Sequence, residues 1–313
     1  YATVKRYLLR LVNENKISLF GKGKNTHYGL TAEQELFLPI ILDLYFQHET
    51  DERNIRGDFH SELLTEILPT TSIFSEEETD QLNRLHQQYK KNLTRLNSSE
   101  INKELNRWAI DLSWKSSQIE GNTYTLLETE RLLNERITTS GKTQEEAIML
   151  LNHKEAIQFL IEHPDYLSPL TIAGIEDIHK ILVRNLNIPT NLRRVRIGIS
   201  GTNYRPSDNE YQIREGLQAM CTLIEGKSNP YEKAFLALVL LAYIQPFSDG
   251  NKRTSRIMCN ALLMHHGYCP LSFRTVDSLE YKKAIVVFYE RNNLTAMKRL
   301  FMEQVEFAVG GYF

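Results

Sequence analysis

The feature that most constrains this chain is the eleven-residue apolar run Ala234–Ile244, followed at once by Gln245, Pro246 and the bend Asp249-Gly250-Asn251. Eleven apolar residues are too few to cross a bilayer, so the run predicts a helix buried on every side in a large core. Pro246 forces the chain out of that helix. A new helix is expected to open near Asn251, which leaves its first backbone N–H groups facing the bend. Such a helix start attracts anions. Arg253 and Arg256, three apart, share a face of the new helix, and Lys252 adds a third cation. Asp249 offers a carboxylate oxygen to a hard cation such as Mg²⁺. An Asp-Gly-Asn turn alone would read as a capped helix corner. Three cations at these offsets favour a site for a polyphosphate with its metal.

The rest of the chain sets the frame. At 313 residues with 42% hydrophobic and 24% charged side chains, it can bury a substantial core. The net charge is −2, which excludes a general polyanion binder. The balance is uneven. Residues 1–30 hold Lys5, Arg6, Arg10, Lys16, Lys22 and Lys24 against one acid, Glu14, so about +5 gathers there. Cys221, Cys259 and Cys269 lack metal-ligand spacing and read as reduced, buried residues of a cytoplasmic protein. There is no membrane span and no signal peptide in the pattern, and the opening Tyr1 in place of Met suggests that an upstream piece was removed.

Three segments are expected. Residues 1–30 read as a helix with Val4, Leu8 and Leu11 on one face, then a strand–turn–strand with Lys22 and Lys24 at the turn. That pattern resembles the end of a winged-helix domain and implies DNA as a partner, with an exposed basic hairpin as the plainer alternative. Residues 31–75 read as a linker and bridge. From Ser75 the pattern is helical. Asn97 and Glu100 form a capping-box pattern that predicts an inhibitory helix 98–120, stopped by Gly121. Helices are further predicted over 126–140, 143–162, 169–185, 210–225, 231–244, 252–266, 278–290 and 293–308. Over 192–206, Val195, Ile197 and Ile199 alternate with Arg196, Gly198 and Ser200, which predicts a small β-hairpin turning at Gly201-Thr202-Asn203.

The segment Gln245–Arg256 resembles the signature of Fic-domain proteins: His, Pro or Phe, Phe, a free position, Asp-Gly-Asn, Gly or Lys, Arg, two free positions, Arg. Ser116-Ser-Gln-Ile-Glu120-Gly121 resembles the family's inhibitory motif. The resemblance implies a mainly α fold, a Fic-type helical bundle over 76–308, with 192–206 as a flap that docks a target protein. It implies AMP transfer from ATP to a protein hydroxyl, with ATP and Mg²⁺ bound. Asp249 would hold the metal. Gly250, Asn251 and Lys252 would cradle phosphate, with the Asn251 side chain assisting, and Arg253 and Arg256 would bind the outer phosphates. Ile199, Ser200 and Gly201 would cover the nucleotide, and Phe247 would anchor the loop. Tyr281 would line the adenine end, or serve as a core tyrosine. His179 and Asn152 fall where the family has similar residues. Ser116 and Glu120, four apart on one face, would bring a carboxylate against Arg256 and silence the site. A homodimer is compatible with the family.

One position departs. The family's general-base histidine is Gln245 here, and an amide cannot take a proton. Three explanations fit: a native nucleotide-binding pseudoenzyme, an introduced inactivating replacement, or proton removal by water or substrate. Lys252 in place of Gly leaves the transferred group open between AMP and another part of ATP. The competing functions are a nucleotide-sensing DNA-binding regulator and a protein-binding pseudoenzyme.

Overall fold

The computed structural model describes residues 2–14 and 16–313. Tyr1 and Asn15, both inside the expected 1–30 segment, lie outside the described residues. The chain is mainly helical, with one two-stranded antiparallel sheet among those residues. It opens with α1 (Ala2–Asn13), β1 (Ile17–Phe20), a 3₁₀ turn (Gly23–Asn25) and β2 (His27–Leu30), with Ile17 opposite Leu30 and Phe20 opposite His27. Leu8 and Leu11 are half-buried, while Val4 stays 62% exposed, so the predicted apolar face is only partly covered.

Two short helices follow, α2 (Ala32–Leu36) and α3 (Leu42–Tyr45), then a π-helical turn over Leu63–Ile67. The segment 31–75, expected as linker and bridge, sends Leu36, Leu64, Leu68, Ile73 and Phe74 into the same core as the helical body. The body comprises α4 (Glu76–Leu93), α5 (Ser98–Ile119), α6 (Leu126–Glu135), α7 (Gln144–Glu162), α8 (Ile172–Val183), α9 (Glu210–Gly226), α10 (Pro230–Ile244), α11 (Asn251–His265), α12 (Ser278–Arg291) and α13 (Thr295–Gly311). The predicted 126–140 helix stops early, at Glu135, because Arg136 turns left-handed (φ 60°).

Helix α10 is the centre. Every residue from Tyr231 to Ile244 except Lys233 is buried, and α11 returns antiparallel along it with α9 alongside. An all-round apolar helix is stable only in such a position. Helix α5 starts as predicted: Asn97 Oδ1 accepts from the N–H groups of Ser99 and Glu100 (2.9 and 3.0 Å), and Glu100 Oε2 accepts from Asn97 N (2.8 Å). Reciprocal capping of this kind fixes the helix register at its start. At the far end Gly121 adopts φ 100°, which leaves Glu120 as the C-cap residue. No helix among the described residues is long and apolar enough to cross a membrane.

The expected β-hairpin at 192–206 is corrected by the structure. The segment is extended and turns at Ser200–Gly201, yet its two arms form no ladder with each other. The outgoing arm is bonded elsewhere, with Arg205 N donating to Gly57 O at 2.8 Å. Alternation in the sequence reports an extended chain with two unlike faces. It does not say which neighbour supplies the hydrogen bonds.

Candidate functional site

The site forms where α10 ends and α11 begins. Gln245 caps α10 in the left-handed conformation (φ 51°, ψ 57°), its N–H donating to Leu241 O at 3.0 Å. The loop then closes on the Asn251 side chain. Asn251 Oδ1 accepts from Phe247 N (2.9 Å), and Nδ2 donates to Phe247 O (2.8 Å) and Gln245 Oε1 (2.9 Å). With both amide hydrogens spent, Asn251 has no donor left for a phosphate. The expected direct assistance from its side chain is therefore corrected to a role in shaping the loop.

Gly250 sits at φ 85°, where only glycine is unstrained, and N-caps α11. A Cβ there would come within 3.2 Å of His179 Nε2 and Val183 Cγ1. The ring of His179 stacks on Phe247 at 3.6 Å and donates from Nε2 to Asp249 O at 2.9 Å. Burial lowers the His179 pKa to about 4, so it is a neutral structural support. Phe247 is fully buried, as expected of a loop anchor. Asn152 lies apart, donating to Leu182 O and Arg184 O at the end of α8.

A cleft of about 400 Å³ opens over this loop. Its floor is Gln245 and Ser248 to Arg253, and one wall is Ile197, Gly198, Ile199 and Ser200 of the flap. Lys282, Ile285, Val286 and Tyr289 of α12 form the other wall, and Glu120 closes one end. A larger cleft, about 730 Å³, lies beyond the outer flap arm against Asp58, Phe59 and α9, and contains none of the loop residues.

The predicted residues are mostly brought together. Asp249 stands open to solvent, its side chain 66% exposed, with Oδ2 at 3.4 Å from Arg253 Nη2. Arg253 is buried, and its Nε and Nη1 have no partner. Burial lowers its pKa, with Asp249 and Glu120 opposing. Gly201 and Tyr281 fall outside the cleft. Gly201 has its carbonyl held by Arg53 (2.6 Å), and Tyr281 is buried beneath Arg256, 5.4 Å from ring centre to guanidinium.

Arg256 also stays out of the cleft wall because Glu120 covers it. Glu120 Oε1 accepts from Arg256 Nη2 at 2.7 Å and Oε2 pairs with Lys252 Nζ at 2.8 Å. Ser116 completes the seal: its Oγ accepts from Arg256 Nε (2.8 Å) and its carbonyl from Nη2 (3.0 Å). Burial alone would raise the Glu120 pKa, but the charges of Arg256 and Lys252 outweigh it and hold it down to about 2. The carboxylate is therefore ionised at neutral pH.

Sequence reasoning missed Lys282, Val286 and Tyr289, although their spacing of four and three on α12 marks one helix face. It also missed His153, fully buried beside the two arginines; burial first, then the charges of Arg256 and Arg253, keep it neutral. Arg193 carried no local signal. It donates to Gln245 O at 2.7 Å and ties the base of the flap to the loop.

A buried helix, a left-handed turn, an open carboxylate and a cationic helix start thus share one cleft.

Residues 169–263 match the Fic/DOC family.

That match spans α8, the flap, α9, α10, the loop and most of α11. Similar proteins extend it. "Protein adenylyltransferase Fic" of Nematostella vectensis is 31% identical over 176 residues, 54% of this chain and 40% of that protein. The protein of the same name from Drosophila ananassae is 30% identical over 156 residues, 49% of this chain and 31% of its own length. The chain thus spans less than half the length of these curated relatives. Among solved structures, Fic-1 of C. elegans (residues 134–508) superposes with a TM-score of 0.65 at 21% identity, covering 75% of this chain and 71% of that one. A Fic domain containing signaling protein from Bacteroides thetaiotaomicron gives 0.61 at 18%, over 73% and 95%. The helical fold is the Fic fold.

Proposed function

We propose that this chain is a Fic-type protein adenylyltransferase, held off by Glu120 and deprived of its base by Gln245. The observation that carries the reading is the double ion pair of Glu120 with Arg256 and Lys252, set across the start of α11 beside Asp249. Those cations have a carboxylate where an anionic substrate would bind.

ATP suits the donors present. The N-terminal turn of α11, the orphaned Arg253 donors and Lys252 all favour a polyphosphate. Asp249 is one exposed carboxylate, and no cluster of three or more metal-ligating side chains occurs among the described residues. One carboxylate plus substrate phosphates is the usual coordination of Mg²⁺, which when bound would offset phosphate charge.

In AMP transfer a target hydroxyl attacks the α-phosphorus, the bond to the bridging oxygen of the β-phosphate breaks, and the hydroxyl proton leaves. The flap's inner arm, 194–200, makes no backbone–backbone hydrogen bond among the described residues, although Val195 O accepts from Arg193 Nη1 (2.9 Å), and an extended target segment would dock along it. The proton has no good acceptor. Gln245 directs Nε2 to Ala242 O (2.7 Å), and its Oε1 already accepts from Asn251. His179 is stacked and buried. The loss of a general base costs about 10²–10⁴ in rate.

The test is label transfer from α-³²P-ATP with Mg²⁺ by this chain, Glu120→Gly, Gln245→His and the double variant. Label is expected in quantity only from the double variant. Strong labelling by Glu120→Gly alone would refute the account of Gln245.

A second reading, regulation at DNA, has its own support: Lys22 and Lys24 are exposed beside the basic helix α1. Winged-helix-like binding through 1–30 predicts an affinity that falls steeply with salt. Salt-independent binding, or none, removes it. A cytoplasmic setting is supported by three free, buried cysteines.

A further inference from the structure

The flap is held in place by the segment before the helical body, through one buried arginine. Arg53 has a side chain only 3% exposed, and its Nη2 donates to Gly201 O (2.6 Å) at the flap turn and to Thr50 Oγ1 (2.9 Å). Its Nη1 faces Glu290 Oε2 at 3.3 Å, and Glu290 is fully buried. Glu290 follows Tyr289, which lines the cleft and accepts from Gln245 Nε2 at 3.4 Å. The guanidinium also lies 4.9 Å from the Phe46 ring centre. Around it the same strap holds the outgoing flap arm. Asn203 Nδ2 donates to Asp51 Oδ1 (2.7 Å), Arg205 N to Gly57 O (2.8 Å), and Arg205 pairs with Asp58 (3.0 Å).

We propose that Arg53 is the positioning residue of the flap: it fixes the turn at Gly201, and so the height of residues 197–200 over the cleft, against α12. Nε and Nη1 make no hydrogen bond, so the buried charge is held by the Glu290 carboxylate and by the two bonds from Nη2, and losing either would leave it uncompensated. The inner flap arm has no ladder of its own, so its position depends on anchors at its two ends. Arg193 supplies one and Arg53 the other. The inference rests on reading 192–206 as a flap over a nucleotide, and it places control of that flap in residues 50–58, outside the matched span 169–263.

The test is amide hydrogen exchange on the full chain without nucleotide. Arg53→Ala alone would strand Glu290, so the informative variant is Arg53→Met with Glu290→Gln, compared with Arg53→Lys. In the double variant the Tyr204 and Arg205 amides are expected to exchange about tenfold faster or more, the loss of one charge-assisted bond, with α10 amides unchanged. Arg53→Lys, which can still donate to Gly201, is expected to recover part of the protection. Unchanged exchange at 204–205 overturns the proposal. So does equal acceleration in α10, because Arg53 would then support the whole body and not the flap. A second arm measures binding of a fluorescent ribose-modified ATP with Mg²⁺ in a Glu120→Gln background. The double variant is expected to bind about tenfold more weakly. Failure of every variant to bind would sink the nucleotide reading, while the exchange data would still decide on Arg53.

Discussion

Glu120 Oε1 lies 2.7 Å from Arg256 Nη2, although 136 residues separate the two in sequence. The carboxylate reaches it from the C-cap of α5, the end of a helix where an anion is disfavoured by the helix dipole. Two cations overcome that penalty. The pair ties the end of α5 to the start of α11, and on the proposed reading the same contact blocks the site.

Glu120→Gln separates these effects. Removing the charge leaves Arg256 buried without its counterion, a loss of about 3 kcal/mol. The melting temperature is expected to fall by several degrees without ligand, since about 1 kcal/mol moves a domain of this size by roughly 2–4 °C. Mg²⁺-ATP should then raise it by more than it does in the unaltered chain. A variant that melts lower and gains nothing from ATP would show that the pair is structural only.

Asn251→Ala tests the loop lock. Three hydrogen bonds between Asn251 and the backbone or side chain of Phe247 and Gln245 disappear. Each is worth about 0.5–1.5 kcal/mol net. Nucleotide affinity, read by calorimetry in the Glu120→Gln background, should drop at least about tenfold. Because the side chain has no free donor for phosphate, the loss is expected to appear for AMP as well as ATP. A loss confined to ATP would point to a direct contact with the outer phosphates.

Gly250→Ala adds a Cβ 3.2 Å from His179 and Val183 at φ 85°. Strain of about 1–3 kcal/mol is expected at such a position. Melting should shift downward, and nucleotide affinity in the Glu120→Gln background should fall with it. Equal stability of Gly250→Ala and the unaltered chain would mean that the turn relaxes freely.

Acid should destabilise the protein in two stages. The pKa of His179 falls from its usual 6.5 to about 4 on folding, mainly through burial. The unfolded chain therefore binds the proton first, and stability falls as pH drops from about 6.5 to 4, with buried His153, also held well below its usual value, adding to the same limb. Glu120, held at about 2 by Arg256 and Lys252 against the cost of burial, adds a second loss between about 4.5 and 2. Denaturant titrations across this range should show both limbs. Glu120→Gln should shrink only the lower one, to which Glu146, held at about 2 by its hydrogen bonds from Thr123, also contributes; if the upper limb shrinks with it, Glu120 and His179 are coupled.

Much of the site was legible before the fold. The apolar run, Pro246 and the cations at Lys252, Arg253 and Arg256 carry local physics: burial, turn geometry and helix periodicity act within a few residues. Capping at Asn97 and the left-handed stop at Gly121 are local in the same way. The flap was legible only as an extended segment.

What the sequence by itself determined, then, is the set of elements and the charges each presents, because propensity, capping and spacing are short-range. Only tertiary structure decided the pairings. It turned the Asn251 side chain inward to lock the loop, moved Tyr281 and Gly201 out of the cleft, gave the flap to Arg53 and Gly57, and drew Lys282 and Tyr289 in from α12. Each of these follows from satisfying buried polar groups across long sequence separations, and a hydrogen bond leaves no mark in the sequence of the partner it will find.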